Sequence, residues 1–269
     1  MTFLDLDDCR LKYSQRGEGP DIVWIPGGDQ SGDCYNELLD LMGDGFRHTT
    51  FDPRGAGQTE TASQPPWPIS TMAQDCAELI SQVCEPPVVL VGLSLGALIV
   101  QEVTLSEPDL VRIAIPMGTG AKKSGFFYEW EETEILFAEA GNRLPSDLAL
   151  IHYAAFCYPA EVLGSDELWQ KCKSYLEMTS VDRDQRMMAA QWRACLEYDS
   201  TTRLPDCQVP MHVVAFEQDL QTPPARGKLV ADLAGNGHFH VLPGMGHFSM
   251  FGHKPEAVCD LIKSILKAA

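Results

Sequence analysis

A serine hydroxyl becomes a useful nucleophile only when a base takes its proton and an acid orients that base. One segment of the chain is built to present such a serine: Gly92-Leu93-Ser94-Leu95-Gly96. The apolar run Val88-Val89-Leu90-Val91 precedes it, and Ala97-Leu98-Ile99-Val100-Gln101-Glu102-Val103 follows. That is the pattern of a buried strand, a sharp turn and a helix, and G-x-S-x-G between the two reads as a nucleophile elbow. Glycine suits positions 92 and 96 because side chains there would meet the neighbouring strand and helix. The same turn puts the Leu95 N–H at a helix N-terminus, where a developing oxyanion is stabilised.

The base and the acid must come from elsewhere in the chain. Met211-His212-Val213-Val214-Ala215-Phe216 reads as a strand that runs into Glu217-Gln218-Asp219-Leu220-Gln221-Thr222-Pro223-Pro224. Asp219, just past the strand end and ahead of a Thr-Pro-Pro breaker, is placed for the orienting acid. Glu217 competes with it, lying nearer the strand end. Further on, His240-Val241-Leu242-Pro243 leads into Gly244-Met245-Gly246-His247-Phe248, a glycine-rich loop that makes His247 the candidate base. The chemistry expected of Ser94, Asp219 and His247 is acyl transfer to water through an acyl-enzyme.

These segments resemble the α/β-hydrolase superfamily over nearly the whole chain. The order Ser94, Asp219, His247 is the order found there. Val23-Trp24-Ile25-Pro26-Gly27-Gly28 resembles its strand and oxyanion loop, although Pro26-Gly27 stands where many relatives carry His-Gly. Phe51-Asp52-Pro53-Arg54-Gly55-Ala56-Gly57-Gln58-Thr59 resembles the D-x-R-G-x-G-x-S turn. Gly246-His247-Phe248 with Lys254-Pro255-Glu256-Ala257-Val258 resembles the histidine loop and final helix. Within the superfamily the chain looks most similar to the cofactor-free bromoperoxidase-like esterases. The resemblance implies the α/β-hydrolase fold: a mostly parallel twisted sheet with helices on both faces and a helical cap. It also implies a backbone oxyanion hole from Gly28 and Leu95, no cofactor, no metal, and perhydrolysis as a side activity. Dehalogenases and epoxide hydrolases on this scaffold resemble one another in using aspartate at the elbow, so a serine at 94 points away from both.

The elements that must carry these residues alternate strand and helix. Arg10–Arg16 pairs early, Asp21–Pro26 is a buried strand, and His48–Asp52 is the next. Tyr35, Leu38, Leu39 and Met42 share a helical face, as do Met72, Cys76, Leu79, Ile80 and Val83. Pro86-Pro87 stops that helix ahead of the elbow strand, and Val111–Pro116 follows the elbow helix. Such alternation implies a parallel sheet covered on both faces. Asp52 and Arg54 are expected to fix a turn, with Arg54 paired to a carboxylate or carbonyl. From about 120 to 205 the pattern changes to helix formers and aromatics with no strand-like run. The expected division is therefore core over 1–119, a helical cap over 120–205 roofing Ser94, and core again over 206–269. Val258, Leu261, Ile262, Ile265 and Leu266 give the last helix one apolar face.

The formal net charge of −18 argues against nucleic-acid and anionic-membrane partners and otherwise reads as solubility, with a substrate neutral or cationic near the mouth as the other reading; the partner expected is a small-molecule substrate. The nine cysteines are odd in number and contain no C-x-x-C. With an acidic N-terminus lacking a signal pattern, this suggests reduced thiols and a cytoplasmic location. No apolar run approaches the ~18 residues of a membrane span. His238-x-His240 puts two imidazoles on one strand face, but no third ligand is apparent, so a metal is not expected. Gly27-Gly28 lacks the Gly-Lys-Ser/Thr of a phosphate loop, and Gly118-Thr119-Gly120 lacks dinucleotide-loop spacing. The expected substrate is a small to medium apolar ester or lactone. The same residues also serve carbon–carbon or thioester hydrolysis, and the fold, by resemblance, also carries cofactor-free oxygenases, lyases and ligand-binding proteins. Oligomeric state is open, a homo-oligomer included.

Overall fold

The computed structural model describes residues 2–180 and 184–268. The strands are β1 (Thr2–Asp5), β2 (Cys9–Arg16), β3 (Asp21–Ile25), β4 (Arg47–Phe51), β5 (Glu60–Thr61), β6 (Val88–Leu93), β7 (Val111–Met117), β8 (Met211–Phe216) and β9 (Gly237–Leu242). The helices are α1 (Asn36–Met42), α2 (Ile69–Val83), α3 (Leu95–Ser106), α4 (Phe126–Glu139), α5 (Ser146–Cys157), α6 (Ala160–Leu163), α7 (Asp166–Ser180), α8 (Gln185–Glu197), α9 (Pro224–Leu233) and α10 (Pro255–Ala268).

All the strands join one sheet in the order β1-β2-β4-β3-β6-β7-β8-β9, with β5 beside β2. From β4 to β9 every pairing is parallel, while β1, β2 and β5 make antiparallel pairs. This is the mostly parallel α/β-hydrolase sheet. Strand β6 lies centrally and is buried along its whole length, so its apolar run is unbroken rather than alternating. Val88 and Leu90 pack with α2 and α3 on one face. Val89, Val91 and Leu93 pack with α1 and α10 on the other. The apolar stripe of α10 puts Val258, Ile262 and Ile265 into that second core.

Parallel strands align their C-terminal ends, and loops leaving those ends converge on one edge of the sheet. The loops after β3, β6, β7, β8 and β9 carry Gly28, Ser94, Gly118, Asp219 and His247 respectively. Between β7 and β8 the chain forms the five helices α4–α8, bracketed by an isolated bridge between Lys122 and Asp199. The helices have apolar clusters of their own: one gathers Ile135, Met188 and Leu196, the other Ala154, Val162 and Leu176.

Candidate active site

Ser94 follows β6 directly and caps α3, with φ 54° and ψ −113°. A positive φ costs a serine of the order of 1–3 kcal/mol and persists only where the surroundings over-determine it. Here the Ser94 N–H donates to Met117 O at 3.0 Å, and its carbonyl accepts the first bonds of α3. The flanking glycines are sterically required. A Cβ on Gly96 would lie 2.1 Å from Ile25 O, and one on Gly92 would lie 2.3 Å from Gly96 O. Strand β3 and helix α3 therefore touch backbone to backbone beneath the turn.

Asp219 and His247 meet on the same edge. Nδ1 of His247 donates to Asp219 Oδ2 at 2.6 Å, and both side chains are buried. Asp219 also accepts from Thr222, whose N–H reaches Oδ1 at 2.9 Å and whose hydroxyl reaches Oδ2 at 2.7 Å. The carboxylate is thus fully engaged by donors, as a buried anion must be. The opposite ring nitrogen, Nε2 of His247, is buried and has no hydrogen-bond partner among the described residues. His247 and Ser94 line one cavity of about 60 Å³. Glu217, the competing acid, points away: its exposed carboxylate accepts the Gly244 N–H at 2.7 Å.

The loop after β3 supplies the facing wall. Gly27 N–H donates to Gln30 Oε1 at 3.1 Å, and Asp29 N–H donates to Gln191 Oε1 at 2.6 Å. The Gly28 N–H between them has no acceptor among the described residues. Leu95, the first residue of α3, and Gly28 both border the Ser94 cavity.

Helices α4, α5 and α8 line this cavity with Trp130, Tyr153 and Trp192, whose rings pack against one another. A partly buried ion pair interrupts the aromatic surface, with Lys123 Nζ 2.6 Å from the buried Glu131 Oε2. Burial pushes the Glu131 carboxyl up, and Lys123 opposes that shift. Cys195 also lines the cavity, and burial pushes its thiol up to about 12, so it stays protonated. Residues Asp29, Gln30, Leu176 and Phe248 border both this cavity and a wider groove of about 710 Å³.

Asp52 and Arg54 support the site from behind. Asp52 accepts the N–H groups of Gly32 and Gln58, each at 2.8 Å, and so binds the β3 and β4 loops together. Arg54 forms a fork to Asp75 at 2.8 and 2.7 Å and another to Asp8 at 3.0 and 2.8 Å. Burial works against the Arg54 charge, but these carboxylates outweigh it and its pKa rises. Asp8 is held down to about 2 by its hydrogen bond from Arg54. His238 and His240 acquire a third neighbour across the β8–β9 register. His212 stacks on His238 at 4.5 Å, and its Nδ1 lies 3.0 Å from His240 Nε2. Among the described residues no group of three or more His, Cys, Asp or Glu is arranged to hold a metal ion. All nine cysteines are free. No described helix is long and apolar enough to cross a membrane.

Several site residues escaped the sequence reading. In the sequence Gly118 stands out only as part of a Gly-Thr-Gly that lacks dinucleotide-loop spacing. Its missing Cβ leaves room for His247, whose Cε1 would lie 3.1 Å from such an atom. Thr222 marks the breaker after Asp219, and a hydroxyl three residues past an acid is the signal that would have found it. Lys123 and Glu131 reach the cavity, and Gln191 the loop beside it, through the packing of α4–α8, which leaves no local pattern.

The sheet order, the elbow and the strand-end loops define an α/β-hydrolase, and the comparisons agree. The model of the alpha/beta hydrolase family matches residues 22–261, and the chain belongs to that family as a hydrolase enzyme. It is 30% identical over 260 residues to BpoC of Mycobacterium tuberculosis, a provisionally named non-heme bromoperoxidase, covering 92% of this chain and 94% of that one. The crystal structure of BpoC superposes with a TM-score of 0.88, covering 96% of each chain at 26% identity. The fold is also shared with an esterase from Thermogutta terrifontis (TM-score 0.86, 20% identity, 100% and 99% covered). An enol-lactonase from Burkholderia xenovorans is similar in the same way (TM-score 0.87, 18% identity, 99% and 100% covered).

Proposed function

We propose that the chain is a metal-free serine hydrolase of small to medium apolar esters or lactones, working through an acyl-enzyme on Ser94. One observation carries the reading. His247 is buried with Nδ1 fixed to a carboxylate, while its unpartnered Nε2 shares the cavity of a strained serine. A buried nitrogen left without a partner costs free energy, about 1–3 kcal/mol for a neutral group, unless a reacting group uses it.

In this mechanism Ser94 Oγ attacks the acyl carbon as its proton passes to His247 Nε2. Asp219 keeps the other imidazole proton on Nδ1 and stabilises the imidazolium that forms. The tetrahedral oxyanion takes hydrogen bonds from the Leu95 and Gly28 N–H groups. The imidazolium then gives its proton to the leaving alkoxide. Water, deprotonated by the same nitrogen, releases the acid and restores Ser94. Helices α4–α8, within residues 120–205, act as the cap. The tight aromatic chamber suits a short acyl group, and the adjoining groove suits the alcohol part. The names of the two structural neighbours, an esterase and an enol-lactonase, fit this class.

Intact-mass labelling with a fluorophosphonate tests the reading. Wild type is expected to gain one adduct that Ser94→Ala does not, and Ser94→Ala is expected to lose about four to six orders of magnitude in kcat. A folded wild type that takes no adduct and cleaves no ester, lactone or thioester overturns it.

A further inference from the structure

We infer that Gln191 is a positioning residue that sets the oxyanion loop from the helical layer above, an assignment that rests on the hydrolase reading just given. Gln191 lies on α8 and its side chain is fully buried. Both ends of its amide are used on backbone. Oε1 accepts the Asp29 N–H at 2.6 Å, and Nε2 donates to Arg54 O at 2.7 Å.

What it holds is strained. Among the described residues only two non-glycine positions have positive φ: Ser94 at 54° and Asp29 at 64°. Each adjoins a proposed oxyanion donor, Leu95 in one case and Gly28 in the other. Ser94 is held by the elbow itself. Asp29 stands in the Gly27–Gln30 turn, which the Gln30 N–H closes on Gly27 O at 3.2 Å, and Gln191 ties that turn to α8 across 162 residues of sequence. The loop's neighbouring N–H groups are consumed, Gly27 by Gln30 and Asp29 by Gln191, which leaves Gly28 N–H to face the substrate. Trp192, next along α8, closes on Gly28 so tightly that a Cβ there would lie 3.3 Å from the indole nitrogen. At its other end Gln191 hangs from the backbone of Arg54, which the forks to Asp75 and Asp8 immobilise.

Removing the amide leaves the Asp29 N–H without its acceptor and releases a left-handed residue that costs energy to maintain. The loop relaxes and the Gly28 N–H leaves its line to the oxyanion. An error of about 1 Å in such a group costs roughly a hundredfold in rate. The donor matters in the transition state far more than in the ground state, so the loss falls on kcat.

The test compares Gln191→Met, which fills the same space without hydrogen bonds, with Gln191→Glu, whose buried carboxyl is kept protonated against the Arg54 carbonyl and so keeps both an acceptor for the Asp29 N–H and a donor for Arg54 O. Steady-state hydrolysis of p-nitrophenyl acetate and the Kd of phenylboronic acid, a tetrahedral mimic, are measured beside thermal unfolding. Gln191→Met is expected to lose roughly 10- to 100-fold in kcat with KM within about threefold. It is expected to lose boronate affinity by a similar factor, and Gln191→Glu is expected to recover most of both. Should Gln191→Met not fold, Gln191→Asn, one methylene short of Asp29, takes its place with the same expectation. A folded variant that keeps kcat within twofold, shifts KM instead, or is not improved by Gln191→Glu overturns the assignment. Fluorophosphonate labelling of wild type separates the two failures. A labelled wild type with indifferent Gln191 variants defeats this assignment alone, whereas an unlabelled, inactive wild type defeats the hydrolase reading and this one with it.

Discussion

Replacing Asp219 with Asn probes whether the buried carboxylate orients the base. Two effects follow from its contacts. The first is loss of charge beside the imidazolium that forms during turnover. At ~4 Å and an effective dielectric near 20, that interaction is worth about 4 kcal/mol, or about a thousandfold in rate. The second concerns the proton on His247. Thr222 N–H donates to Oδ1 and cannot become an acceptor, so the Asn oxygen must take that side. The Thr222 hydroxyl on the Oδ2 side can rotate to accept, so the new NH₂ lands beside His247 Nδ1. An NH₂ there requires a lone pair on Nδ1 and drives the ring proton to Nε2, the atom that accepts from Ser94 in the proposed mechanism. Together the effects put the expected loss in kcat at about 10³–10⁴. Glu217→Gln is the matched control, since its carboxylate binds Gly244 N–H and lies outside the cavity. It is expected to stay within about twofold of wild type. Steady-state p-nitrophenyl acetate hydrolysis reads both variants, with circular dichroism to establish folding. A folded Asp219→Asn within tenfold of wild type, or a Glu217→Gln that loses more, refutes the reasoning.

Arg54→Met strands Asp75 in the core, and breaking a buried pair this way costs about 3–5 kcal/mol. In a chain of this size that lowers Tm by roughly 10 °C, and a fall under 3 °C in scanning calorimetry contradicts it. The histidine cluster gives a pH dependence. Burial and its two histidine neighbours push His212 down to about 4 from its ordinary 6.5, so the unfolded chain takes up that proton first. The contribution is intact above pH 6.5 and is lost as pH falls toward 4, with His48, His240 and His253 shifted the same way. His212→Gln is expected to flatten Tm against pH across that window, and an unchanged slope counts against it.

The parts legible in the sequence are those whose causes are local. The elbow is written in adjacent residues because β6, Ser94 and α3 are contiguous and the steric demand for Gly92 and Gly96 falls on the same turn. Asp219 and His247 were legible as strand-end residues, since a parallel sheet sends its C-terminal loops to one edge. The family assignment rests on the same repeated strand-and-loop pattern. Gln191 was not legible, because a glutamine bonding backbone 162 residues away leaves no periodic or compositional trace. The Lys123–Glu131 pair is hidden for the same reason, as α4–α8 decide which of their faces meets the cavity. His212 was missed because its approach to His238 is a property of the β8–β9 register, and one strand's pattern does not fix its neighbour's register.

The distribution of strain also bears on how the site is held. A fold can maintain an unfavourable backbone only where other contacts leave no cheaper alternative. At Ser94 the sheet supplies that constraint: β6 is buried on both faces, and β3 and α3 meet backbone to backbone beneath the turn. At Asp29 the sheet has already ended, and the turn closes on itself through Gln30, whose N–H donates to Gly27 O and whose Oε1 accepts the Gly27 N–H. The helical layer adds a constraint there from α8, through Gln191 and through Trp192 against Gly28. The two proposed oxyanion donors are therefore fixed by different parts of the chain, Leu95 by the core and Gly28 by its own turn and the helices above it. A helical layer that holds one of the donors has to stay docked at α8 while chemistry proceeds. On this proposal substrate enters without α8 moving, and the wider groove, which shares Asp29, Gln30, Leu176 and Phe248 with the chamber, offers the way in.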